Sequence, residues 1–122
     1  MKIATGDIET ADLEAIQKFS LARVIPTWNQ NTRDEHDFIT AVAHAAIITL
    51  QKRAAGEQGE MVMDLSILGA PARAYLAELA GKWRAEAIAA ENYPAAEFFA
   101  RIGNLLASEE ESRRELERIF SL

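Results

Sequence analysis

Both histidines of the chain lie in one stretch, TRDEHDFITAVAH, residues 32–44, together with Asp34, Glu35 and Asp37. Imidazole and carboxylate groups held close together can bind a divalent cation or exchange protons with a substrate. On a helix, groups meet when they are three or four residues apart, because each residue turns the chain by about 100°. Asp34 and Asp37 have that spacing. His36 and His44 are eight residues apart, about two turns along the axis, and form no local clamp. One turn before His44 stand Thr40 and Ala41, and one turn after it Ile47 and Ile48, none of them a good ligand. A catalytic site here would use Asp34, Asp37 and His44, completed by another helix. Otherwise the acids are the opening turns of a helix, where the backbone dipole favours negative charge.

The dipeptide His36-Asp37 resembles the metal-binding signature of the HD phosphohydrolases. That family also uses an upstream histidine and a distant downstream aspartate, and no histidine precedes His36. Acid pairs at i, i+3 recur as Glu9/Asp12, Asp34/Asp37 and Glu57/Glu60. They resemble the ExxE and ExxD helices with which all-α nucleotide pyrophosphohydrolases of the MazG type hold Mg²⁺. This resemblance implies a metal-dependent nucleotide hydrolase as the alternative function. The departures are that Glu57/Glu60 falls in a glycine-containing linker and no ExxD follows it at the family distance. None of Ser20, Ser66, Ser108, Ser112 and Ser121 sits in GxSxG, and the chain has neither a phosphate loop nor GxGxxG. Catalysis is not advertised, and neither a cofactor nor a metal is called for.

The elements that would position these residues read as helices. At 122 residues, 49% hydrophobic and 26% charged, the chain suits one globular domain, residues 1–122. Cysteine is absent, which rules out disulfides and thiolate sites and fits a reducing compartment. No apolar run reaches the roughly 20 residues of a bilayer span, and the N-terminus turns acidic before any hydrophobic segment, so a cytoplasmic, non-membrane protein is expected. The net charge of −6 is spread evenly and no basic block occurs. Direct nucleic-acid binding, which needs clustered Lys and Arg, is not expected.

Leu13, Ile16, Ser20 and Val24 mark a first helix over residues 11–24, capped by Thr10 or Asp7 and stopped by Pro26. IPTWNQN, residues 25–31, reads as a polar loop. Thr32 and Glu35 make a capping box for a second helix that ends near Ala55, with Gly56 as its left-handed cap. Its core face is Ile39, Val42, Ala43, Ala46, Ile47 and Leu50. MVMDLSIL, residues 61–68, fits strand or short helix, and helix is favoured here. A third long helix runs from Pro71 to about Glu91 on a stripe of Leu76, Leu79, Ala80, Trp83, Ala87 and Ala90. Another starts at Pro94, with Phe98, Ile102 and Leu105 on one face beside Phe99 and Leu106. SEEE, residues 108–111, reads as a second capping box before a last helix that turns Leu116, Ile119 and Phe120 inward. The expected fold is all-α, a compact bundle of five to six helices with no strand pair.

AENYPAAEFF, residues 90–99, resembles the junction of a tetratricopeptide-repeat hairpin, with a small residue, Ala96, three after Tyr93. The following positions depart from that pattern at Ala100 and Gly103, and no 34-residue repeat exists. Tyr93 in this turn, Trp28 in its polar loop, and Met61 and Met63 are the candidate contact residues. The alanine-rich faces of the third and fourth long segments leave apolar surface that a symmetric dimer would bury. The leading reading is a small acidic helical protein acting by protein–protein interaction, as an adaptor, inhibitor or accessory factor, with a partner protein or with itself.

Overall fold

A computed structural model describes residues 2–28, 33–69 and 73–120, with side chains described through residue 108. The order is β1 (Lys2–Ala4), α1 (Thr10–Trp28), α2 (Arg33–Ala54), β2 (Val62–Asp64), a 3₁₀ turn at Ser66–Leu68, α3 (Arg73–Ala89) and α4 (Tyr93–Phe120). The architecture is mostly helical, all-α overall, as two antiparallel hairpins, α1–α2 and α3–α4. Among the described residues there are four α-helices rather than five or six. No described helix is long and apolar enough to cross a membrane.

The missing helix was a break that does not occur. α4 continues through residues 108–111 to Phe120. Serine and glutamate are tolerated inside a helix, so SEEE starts a new one only where the chain is already interrupted. The side chains of Leu116, Ile119 and Phe120 lie outside the described residues, as do Thr32 of the first capping box and Pro71.

α1 also runs past Pro26, which sits in its last turn. There proline forfeits a single helical bond, the one its N–H would have given to Ala22. Side chains take the neighbouring carbonyls: the Thr27 hydroxyl donates to the carbonyls of Arg23 at 2.7 Å and Val24 at 3.1 Å. Residues 25–28 are therefore helix, not loop.

A strand pair does exist. β1 and β2 run antiparallel with Lys2 opposite Asp64, Ile3 opposite Met63 and Ala4 opposite Val62. Met61, Met63 and Leu65 point inward at strand period, and Thr5 extends the pairing through its N–H and hydroxyl to the Met61 carbonyl at 3.0 and 2.8 Å.

The core lies between the hairpins. Phe19 of α1 meets Trp83 of α3 edge-on at 6.3 Å and Phe99 of α4 at 5.7 Å. Arg23 lays its guanidinium over Phe19, 3.7 Å from the ring centre, while its Nε reaches Glu86 at 3.1 Å. The expected stripes are buried except at their margins: Ala90 and Leu105 are exposed, and Val24, Ile47 and Leu50 are half-buried. α2 ends as read, with Gly56 at φ 85° and the paired bonds Gly56 N–H to Arg53 and Glu57 N–H to Lys52.

Candidate interaction face and the histidine helix

Each acid at the start of α2 has a partner. Asp34 accepts the Tyr75 hydroxyl at 2.9 Å, which holds that phenol above its ordinary pKa. Glu35 pairs with Lys82 of α3. Asp37 stands 3.8 Å from Arg33, one turn back on its own helix. His44 is exposed, about 10 Å farther along the axis than Asp37 at helical rise. Among the described residues no three His, Asp or Glu side chains gather as metal ligands. What this arrangement does is tie α2 to α3.

His36 has another task. Its Nδ1 lies 2.9 Å from the Val24 carbonyl and 3.0 Å from Thr27 Oγ1. A carbonyl only accepts, so Nδ1 carries the proton and donates. Its Nε2 is 3.5 Å from Thr40 Oγ1, and the Trp28 ring packs edge-on against the imidazole at 5.1 Å. The histidine thus fastens the last turn of α1 to the first turns of α2.

Trp28 is 72% exposed even so. It stands at the end of a ridge: Leu21 is 46% exposed and Ile25 72% exposed, and the three are spaced i, i+4, i+7 on one side of α1. That side faces outward along α2. At one end a cleft of about 500 Å³ sets Thr10, Glu14 and Gln17 against Ile47, Leu50 and Gln51, and at the other Trp28 touches His36. Thr40, His44 and Ile48 continue the surface on α2.

The part of this face formed by residues 19–28 of α1 and 38–51 of α2 is almost free of charge. α2 has no Asp, Glu, Lys or Arg from residue 38 to residue 51, and α1 has only Arg23 from 19 to 28. Arg23 is turned the other way, to Glu86. Exposed Lys18 and Glu14 continue the Leu21 side towards the start of α1, and Arg33 and Asp37 pair with each other at the margin. In a chain that is 26% charged this is a marked local depletion.

Of the contact residues read from sequence, Trp28 and Tyr93 are exposed, whereas Met61 and Met63 are fully buried beneath the β2 segment. They fill core space and offer no surface in this fold. Leu21 and Ile25 were missed. Their signal, helical spacing to Trp28, was present, but a helix stopped at Val24 hides it. No family model, curated protein or solved structure matches the chain.

Proposed function

We propose that the protein acts by binding a protein, a partner or a second copy, through the outer face of the α1–α2 hairpin. Such a molecule is an adaptor, inhibitor or accessory factor. The observation that carries this reading is the exposed run Leu21, Ile25, Trp28 on a charge-depleted surface. Isolated exposed hydrophobes are ordinary, but contiguous ones are left in water at a cost and mark contact sites. Trp is the side chain most enriched at binding hot spots, and charge depletion at the centre of a patch is the compositional mark of an interface. The other exposed apolar side chains (Val62, Ile67, Tyr75, Ile88, Tyr93 and Leu105) are scattered over four elements. The absence of cysteine and of a basic cluster fits work in the cytoplasm away from nucleic acid.

Capture from the cell that makes the protein tests the reading. The wild-type chain should retain a protein, a second copy included, that Ile25→Lys and Trp28→Ala lose and Asp37→Ala keeps. Circular dichroism should report the same helical content for all four. An identical retained set for wild type and Ile25→Lys would rule the face out.

A further inference from the structure

We infer that residues 2–8 form a strap that lifts as one piece while the four helices stay folded, and that Arg53 and Arg101 hold it shut. The strap is separate from the outer face of the α1–α2 hairpin and does not depend on the protein-binding reading.

The segment is gripped from both hairpins. Arg53 of α2 donates to the Ile8 carbonyl and, at 3.3 Å each, to Thr10 Oγ1 and the Gly59 carbonyl. Arg101 of α4 donates to the Thr5 carbonyl at 3.0 Å. Between the two grips the chain bends at Gly6, whose φ of 80° suits glycine and whose N–H bonds to the Glu60 carboxylate at 3.1 Å.

What the arginines oppose is charge. Asp7, Glu9 and Glu57 line the cleft that holds Arg53, and Asp7, Glu9, Asp12 and Glu97 line the one that holds Arg101. Carboxylates crowded at one end of a chain of net charge −6 repel, and a guanidinium in each cleft offsets them. Little else holds the strap. β1 is three residues long, and Ile3 and Ile8, at 7% and 8% exposed, are the least completely buried side chains of the core. Phe19 meets Trp83 and Phe99 without help from the strap, so the helices keep their central contacts when it lifts. Lifting takes Ile3 from beside Met63 and uncovers a thioether that is fully buried when the strap is shut. The fold thus keeps an adaptable apolar side chain behind a charge-controlled cover.

Amide exchange of the full chain tests this. Thr5 donates its N–H to the Met61 carbonyl at 3.0 Å, so its amide is freed when the strap lifts. The Leu79 amide, inside α3, is freed only when the helices come apart. Allowing for intrinsic rates, Thr5 should exchange several-fold faster than Leu79 in the wild type and respond less to urea. Arg53→Gln keeps a donor and loses the charge. It should speed Thr5 several-fold although the strap residue it grips is Ile8, and Arg101→Gln should do the same. The chain has no cysteine, so Ala4→Cys with Val62→Cys, opposite one another in the strand pair, gives a single disulfide across the strap. Oxidised, this variant should slow Thr5 to the pace of Leu79, and reduction should restore the fast exchange. Met63 gives a second readout. Hydrogen peroxide transfers one oxygen atom to its sulfur, giving the sulfoxide, and leaves as water. The disulfide should slow that reaction several-fold. Thr5 and Leu79 exchanging together in the wild type, with one urea dependence, would make residues 2–8 part of a single cooperative unit and overturn the strap. A Thr5 rate unmoved by Arg53→Gln, at unchanged helical dichroism, would overturn its lifting as one piece under the control of charge.

Discussion

The bonds described at the ends of the two hairpins differ in kind. Between α3 and α4 the backbone supplies most of them: Glu91 takes a left-handed φ of 57°, its N–H bonds to Ile88 at 3.0 Å, and the Asn92 N–H bonds to Ala87 at 2.9 Å. Asn92 then caps α4 by accepting the Ala95 N–H at 3.2 Å, and donates to the Ala15 carbonyl of α1 at 2.9 Å. At the α1–α2 end the described bonds come from side chains inside the helices, His36 to Val24 and Thr27 to Arg23. A turn closed by main-chain bonds commits the residues around it to the fold. At the α1–α2 end the described side-chain bonds fasten the helices while leaving Trp28 outside. The same contrast appears in the two tryptophans, one 2% exposed and one 72% exposed.

The largest expected effect tests that contrast directly. Trp83→Ala should destabilise the protein by about 3–5 kcal/mol, the usual cost of a large aromatic cavity. Trp28→Ala should cost less than about 1 kcal/mol, since it removes one edge-on ring contact and little buried area. Urea denaturation of the two variants checks this. Equal losses would make Trp28 a structural plug and remove the proposed face. Trp83→Phe should cost less than Trp83→Ala. The indole N–H finds no acceptor among the described residues, so phenylalanine removes an unpaired donor along with some packing.

The next effect is smaller and belongs to the α3–α4 turn. Asn92→Ala removes the α4 cap and the bond to Ala15, and should cost about 1–2 kcal/mol. The bond to Ala15 distinguishes this cap from a purely local one, because it joins the second hairpin to the first. Asn92→Ser keeps a capping oxygen but cannot reach across as a donor in the same way, so it should recover part of the loss and not all of it. Full recovery in the same denaturation series would reduce Asn92 to an ordinary cap.

What could be read in the sequence follows from length and locality. The stripe of Leu76, Leu79, Ala80, Trp83 and Ala87 recurs over enough turns that only a helix buries it, and it is buried. The Gly56 cap was legible because glycine enters the left-handed region at little cost. The strand at 62–64 was harder. Met61, Met63 and Leu65 alternate, but Val62 interrupts the polar positions, and the partner strand is three residues at the far end of the chain. A pair formed across that separation has no local signature. Pro26 misled because its penalty depends on position: it is high in mid-helix and low in the final turn. That error hid Ile25 and cast Trp28 as a loop residue, so the candidate face was legible only by its most conspicuous member. The partners of the acids, Tyr75 for Asp34 and Lys82 for Glu35, are more than forty residues away, and only the docking of the two hairpins brings them together.

The smallest expected effect sits where the two hairpins touch at their edge. Tyr75 of α3 donates its hydroxyl to Asp34 of α2, and losing that proton would leave two negative oxygens face to face. Its pKa is therefore raised above the ordinary 10.0, chiefly by this bond, with burial and the charges of Asp34, Glu35 and Glu78 adding to it. A folded pKa raised above the unfolded one contributes stability below the unfolded value and loses it as the pH climbs through the folded one. The bond should thus hold at neutral pH and fail on the alkaline side. The chain has two tyrosines, so in a Tyr93→Phe background the phenolate absorbance belongs to Tyr75 alone. Its alkaline midpoint should lie above that of a free tyrosine, and Asp34→Asn should bring it down towards the ordinary value with little change in stability at neutral pH. The same titration bears on the acids at the start of α2. A divalent cation held by Asp34 would compete with the Tyr75 hydroxyl and lower the midpoint, so a midpoint that does not move with added Mg²⁺ leaves Asp34 as a tie between hairpins rather than a metal ligand.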